Sequence, residues 1–252
     1  MKKFFIVTII ILSGLNSPWA EMDKSSLWES FLKGEYENII ETTKEVFRRM
    51  PEEKIAAEIY YLRAMSFLGL GQTGFARKYF HELLERYPAC EWRESAKLAL
   101  GDCFLLEQEW DKAGLAYQDF VEKNPRSGLL SLAYFKIAET KRKAGVWDEA
   151  RAAHQKVKEA FPESLEASVS SEILSHDEFY FTFQVGSFIN RDNARELMQK
   201  LNETGFTAYV TESVKLGQVF YRVRVGRFAS RQESEETKER LIRAGYTARL
   251  YP

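Results

Sequence analysis

The sequence predicts a multidomain chain: an all-α helical solenoid over residues 24–175, then an α+β domain over 178–252. That domain is ordered β-α-β-β-α-β and carries one four-stranded antiparallel sheet. Three observations predict this. Pro51, Pro88, Pro125 and Pro162 recur every 37 residues, a period that marks stacked supersecondary units. Near the C-terminus, FQVGSFINRDNARELMQKLNETGFTAYV is echoed 40 positions later by VRVGRFASRQESEETKERLIRAGYTARL, each a strand, a helix and a strand. An apolar content of 45% over 252 residues is enough for two cores.

Taken from the N-terminus, MKKFFIVTIIILSGLNSPWA has Lys2 and Lys3 before an apolar run, then small and polar residues to Ala20. This reads as a signal peptide over 1–20, cleaved after Ala20; the alternative is a retained anchor. The run is shorter than the ~20 apolar residues a membrane span needs. No later segment could span a bilayer, so the mature chain is expected to be exported, periplasmic and without a membrane span.

The repeats follow. Ala64, Gly101 and Ala138 share one register, and Ala76, Ala113 and Ala150 another. Gly34, Gly71 and Gly145 mark the turn between the two helices of a unit, with Gln108 as the exception in the third copy. Tyr36, Trp110 and Trp147 stand just after that turn, with Thr73 as the exception. Proline stops each second helix. Phe80, Leu83 and Leu84, and likewise Tyr117, Phe120 and Val121, recur at helical spacing and supply the buried stripe. Leu165, Val169 and Ile173 continue at i, i+4 and i+8, which predicts a capping helix over Ser164–Ser175; the alternative is that the serine-rich stretch Ser164–Asp177 is a disordered linker. Only His176 and Asp177 then separate the cap from the next domain, so that domain is expected to sit against the array.

In the last domain the expected strands are FYFTFQVGSF, FTAYVTESV, VFYRVRVGRF and YTARLY, and the helices run over Arg191–Glu203 and Arg231–Ala244. Alternation sorts the faces. Phe181, Phe183, Val185, Ala208, Val210, Tyr221, Val223, Val225, Ala248 and Leu250 point to the helices, met by Ala194, Leu197, Leu201, Leu241 and Ile242. The opposite face holds Thr182, Gln184, Thr207, Tyr209, Thr211, Phe220, Arg222, Arg224, Thr247, Arg249 and Tyr251, with no helix left to cover it. An open antiparallel face is normally polar. Aromatics and arginines together favour a binding platform over a merely solvated one.

Charge and chemistry exclude several classes. Residues 178–252 hold 12 Lys/Arg and 9 Asp/Glu, or +3, and residues 21–177 carry −6. That is too little for a nucleic-acid footprint. Cys90 and Cys103 fall near one helix, roughly 20 Å apart along it, farther than a disulfide spans; they read as two buried, inert thiols, the alternative being the disulfide that an oxidising compartment would allow. His81 and His154 fall on second helices of different repeats, at positions read as partly exposed. No HExxH, paired-cysteine or GxSxG pattern occurs, and the Gly motifs lack a phosphate-cradling spacing. No catalytic residue, metal site or cofactor is expected.

The small–aromatic–Ala–aromatic–Pro pattern resembles the tetratricopeptide repeat, three residues longer than the usual 34. Such repeats hold a peptide or protein in a concave groove. Tyr61, Leu98 and Phe135, in one 37-residue register, would line it here; the alternative is that they pack helix on helix. QVGSF, Asn193-Ala194, LNETGF, YRVRVG and RF resemble the SPOR (sporulation-related repeat) domain. That resemblance implies binding of septal peptidoglycan on glycan strands lacking stem peptides. Its motifs fall on Gln184, Gly186, Ser187 and Phe188, and on Tyr221, Arg222 and Val223. The glycan-binding set is then Thr182, Gln184, Ser187, Tyr209, Phe220, Arg222, Arg224, Arg249 and Tyr251; no tryptophan lies on this face. The expected protein is an exported, non-catalytic adaptor, enriched at the division septum, whose repeats recruit an unidentified envelope or division protein. The alternative is an envelope scaffold or cell-wall enzyme cofactor acting mainly through the repeats.

Overall fold

A computed structural model describes residues 24–49, 55–177, 179–215 and 217–252. The signal segment 1–20 and Pro51 lie outside the described residues. The chain forms two compact units, one up to Ala96 and one from Lys97.

The first unit holds α1 (Lys24–Lys33), α2 (Tyr36–Arg49), α3 (Ala57–Gly69), α4 (Thr73–Arg86) and the start of α5 (Arg93–Leu106). Gly34 and Gly71 take positive φ (77° and 71°) at the turns, where a side chain would be strained. Ile39, Tyr60, Leu62, Ala64, Ala76, Phe80 and Leu83 are fully buried. Arg63 is buried too, its guanidinium 4.9 Å from the Tyr79 ring centre and donating to Thr43 Oγ1 at 2.6 Å.

The second unit continues α5 and adds α6 (Trp110–Lys123), α7 (Leu130–Ala144), α8 (Trp147–Ala160) and α9 (Leu165–Ser175). Small residues sit where close approach demands them. A Cβ on Gly101 would lie 2.4 Å from the Tyr117 ring, which the hydroxyl fixes by donating to Asp102 Oδ1 at 2.5 Å. Burial, with the Asp102 carboxylate beside it, pushes the Tyr117 phenol up. Gln108 takes the turn position at φ 61°, left-handed like Gly145 at 81°. The stretch read as a cap is α9, and Ser164 caps it by accepting from the Ala167 amide at 3.1 Å.

The α+β part comprises β1 (Phe181–Phe188), α10 (Arg191–Glu203), β2 (Ala208–Lys215), β3 (Gln218–Phe228), α11 (Arg231–Arg243) and β4 (Arg249–Tyr251). The sheet order is β2-β3-β1-β4, antiparallel at every pairing. Asn190 and Ser230 cap the two helices. Phe183, Ala194, Leu201, Phe206, Ala208, Val223, Val225 and Leu241 make one core, with Val185, Phe188, Leu197, Val210, Tyr221 and Leu250 packed on it. Two assignments are corrected. Ile242 is 58% exposed, because Leu241 takes the core position of that turn. Phe181 is buried, but its ring packs 4.7 Å from that of Trp147 in α8 and under the Arg231 guanidinium.

Among the described residues no helix is long and apolar enough to cross a membrane. Both cysteines are thiols, Cys103 buried and Cys90 half-buried.

Candidate functional site

Strand β1 carries two register shifts against β3, one between Phe181 and Phe183 and one between Gln184 and Gly186. The second decides the site. Strict alternation would put Gln184 and Ser187 on opposite faces. The extra residue at the bulge instead lets Gly186 face Leu197 of α10, while Gln184 and Ser187 both line one cleft. Gln184 pairs with Arg249 of β4, and Ser187 pairs with Arg222 of β3.

The cleft holds about 530 Å³ and is lined by Lys143, Gln184, Ser187, Phe220, Arg222, Arg249, Leu250, Tyr251 and Pro252. Six of the nine expected glycan-binding residues therefore converge: Gln184, Ser187, Phe220, Arg222, Arg249 and Tyr251. The ring of Tyr251 is held from behind by Arg224 at 4.2 Å and by Arg142 of α7 at 5.3 Å.

The other three do not join them. Thr182 is fully buried; its hydroxyl donates to Val225 O at 3.2 Å and accepts from Tyr209 at 3.1 Å. Arg224 is 2% exposed, and Tyr209 lies beneath the Arg227 guanidinium. The reason is a correction to the bare-sheet expectation: part of this face is covered by the repeats. A second cavity, of about 480 Å³, is bounded by Phe135, Glu139 and Arg142 of α7, Val169, Glu172 and Ile173 of α9, and Tyr180, Thr211, Arg222, Arg224 and Arg227 of the α+β part. Burial, with its hydrogen bond to Tyr209, raises the Tyr180 phenol to about 12.

The repeats are fastened to the sheet by specific contacts. Trp147 Nε1 donates to Ala229 O at 2.7 Å, and Arg231 Nη2 donates to Lys143 O at 3.0 Å. Phe179 is buried against Ala150 and Ile173. These contacts bring Lys143, which sequence reasoning missed, into the cleft. Burial lowers its ammonium below the ordinary lysine value; Arg142, Arg231 and Arg249 push the same way and Glu139 opposes them.

Two further expectations are corrected. Leu98 is 3% exposed in a core with Ala113, Tyr117, Phe120 and Ala133. Tyr61 stacks on Trp92 at 4.7 Å, and Phe135 packs on Ala150, Ile173 and Phe179. Leu98 packs helix on helix rather than lining an open groove; Tyr61 is half-buried on the turn residue Trp92, and Phe135, packed on α8 and α9, is also one wall of the second cavity. His154 is fully buried rather than partly exposed. Its Nδ1 is 3.1 Å from Ser170 Oγ, and its Nε2 is 3.2 Å from Glu139 Oε1, within ion-pair reach but not aligned as a hydrogen bond. Among the described residues no group of three or more His, Cys, Asp or Glu could hold a metal ion.

Comparison with known proteins supplies the families. The SPOR domain matches residues 177–248, and the tetratricopeptide repeat matches 58–89, 95–127 and 132–164. No curated protein sequence matches the chain. Among solved structures, the peptidoglycan binding domain of the B. subtilis cell wall lytic enzyme CwlC is 28% identical, covering 28% of this chain and 85% of its own, with a TM-score of 0.25. MamA from Desulfovibrio magneticus RS-1 (41 to end) is 19% identical, covering 72% of this chain and 94% of its own, with a TM-score of 0.45. A MamA structure of MSR-1 is 15% identical, covering 62% and 87%, with a TM-score of 0.41. The chain thus carries tetratricopeptide repeats followed by a C-terminal SPOR domain.

Proposed function

We propose that the sheet cleft binds peptidoglycan, on glycan strands that have lost their stem peptides. The observation that carries this reading is the convergence of Gln184, Ser187, Phe220, Arg222, Arg249 and Tyr251 on one cleft. Aromatic rings stack on sugar faces, while an amide, a hydroxyl and guanidinium groups hydrogen-bond hydroxyls, N-acetyl groups and carboxylates. The SPOR match supports the same ligand class. In this reading residues 1–20 direct export to the periplasm, 24–175 form the repeat domain with α9 as its cap, and 178–252 form the glycan module. The protein is a non-catalytic adaptor, enriched at division septa, where peptide-free strands arise, and its repeats hold a protein partner there.

Co-sedimentation of the full chain with purified sacculi tests it. Sacculi treated with an amidase that removes stem peptides should carry down most of the protein, and Gln184→Ala or Arg222→Ala should weaken that binding without a large change in melting temperature. Equal retention by untreated, fully peptide-substituted sacculi would overturn the proposed selectivity.

A further inference from the structure

We propose that Lys143, from the repeat helix α7, completes a carboxylate seat in the sheet cleft, so that an acidic sugar is gripped by repeat and SPOR domain together. The inference rests on the glycan reading above and names both the group recognised and the residue that reaches it from the other domain.

Lys143, Arg222 and Arg249 line the same cleft. Among the described residues none of the three side chains makes an ion pair. The protein elsewhere pairs its cations readily: Lys136 with Asp102 at 2.6 Å, Arg142 with Glu139 at 2.7 Å, Arg151 with Asp177 at 2.7 Å. Three like charges lining one cleft with no ion-pair partner, the Glu139 carboxylate acting on Lys143 only from beyond ion-pair distance, repel one another, and a bound anion relieves that repulsion. Lys143 is also held in place: Arg231 grips its carbonyl at 3.0 Å, and the next turn is pinned by Trp147 to Ala229. The neutral lining selects the kind of anion. Phe220 and Tyr251 offer rings, and Gln184 and Ser187 offer neutral hydrogen-bonding groups; both suit a sugar carrying a carboxylate better than an inorganic anion. In peptidoglycan the muramic acid lactyl group is such an acid, and it is free only when no stem peptide is attached through it. A cationic seat would therefore read peptide loss directly, by charge.

The experiment measures binding of the full chain to two ligands: soluble peptide-free glycan strands with free lactyl carboxylates, and the same strands with those carboxylates converted to amides. Wild-type protein should bind the acidic strands about tenfold more tightly, the scale of one charge-assisted contact. Lys143→Gln should lose about that factor on acidic strands and nothing on amidated ones, and the charge-keeping Lys143→Arg should retain most of the preference. The proposal is overturned if Lys143→Gln matches wild type on acidic strands, or weakens both ligands equally. Wild-type binding to neither ligand would instead remove the glycan reading, and this inference with it; wild-type binding with an indifferent Lys143 would leave that reading standing.

Discussion

Glu139 is a largely buried carboxylate held by two basic side chains of the repeats. Arg142 donates to it twice, at 2.7 and 3.0 Å, and His154 approaches to 3.2 Å. Burial by itself raises the Glu139 carboxyl, but His154 and Arg142 beside it more than offset this and hold it at about 2. A carboxyl lower in the folded than in the unfolded state stabilises fully above its ordinary value near 4.5, and that contribution drains away as pH falls toward 2. Glu139→Gln should therefore cost about 3 kcal/mol at pH 7, the usual scale for breaking one side of a buried pair, and flatten the loss of stability between pH 4.5 and 2. Denaturant unfolding at pH 7, 4 and 3 measures both, and an unchanged acid slope would count against the network. The signal for His154 was present in the sequence: with Ala150 and Val157 it occupies i, i+4 and i+7, the buried stripe of α8. A polar residue on such a stripe needs partners, and these, Ser170 on the following helix and Glu139 on the preceding one, lie where spacing alone does not point to them.

Elements obey the repeat more strictly than residues do. The interhelix turn needs left-handed backbone, supplied by Gly34, Gly71 and Gly145 and, in one copy, by Gln108 at φ 61°. A non-glycine residue there costs roughly 1–2 kcal/mol, against about 0.4–1 kcal/mol for the extra freedom glycine gives the unfolded chain. Gln108→Gly should accordingly raise stability by about 0.5–1 kcal/mol, read as a higher melting temperature of the full chain; a fall would mean that the Gln108 side chain stabilises the turn. The same local logic explains what could be read in advance. Helix and strand order, the helix over 191–203 and the cap at 165–175 follow from periodicity, prolines and glycines, which act within a few residues. The β1 bulge does not: alternation along QVGSF puts Gln184 and Ser187 on opposite faces, and only the family resemblance placed both in the binding set, because a bulge depends on the partner strand. Thr182 and Arg224 were misplaced for a related reason. Alternation assigns a face, but whether water or another element meets that face is decided by residues far away in the chain.

At the scale of the second unit, the junction between the last repeat and the sheet connects the two proposed activities. Its contacts include Trp147 on Phe181 and Ala229, Arg231 on Lys143, Arg142 over the Tyr251 ring, and Arg151 over the Phe179 ring at 4.3 Å while pairing with Asp177. The link they span runs from the end of α9 at Ser175 to the start of β1 at Phe181, too short to allow wide excursions while they hold. Trp147→Ala removes both an edge-on aromatic contact and a hydrogen bond, and it leaves the Ala229 carbonyl without that donor. It should loosen the junction while leaving α6 and α7 folded. Limited chymotrypsin digestion reads this directly: wild-type protein should be cut slowly at Phe179 and Tyr180, and the variant rapidly, releasing the C-terminal domain. Unchanged cleavage would show that the remaining contacts hold the junction without Trp147. The binding consequence separates an adaptor of two independent modules from a composite site. If Lys143 belongs to the cleft, Trp147→Ala should lose the same roughly tenfold preference for acidic over amidated strands as Lys143→Gln, though residue 147 does not line the cleft, and the double variant should lose no more than either single one.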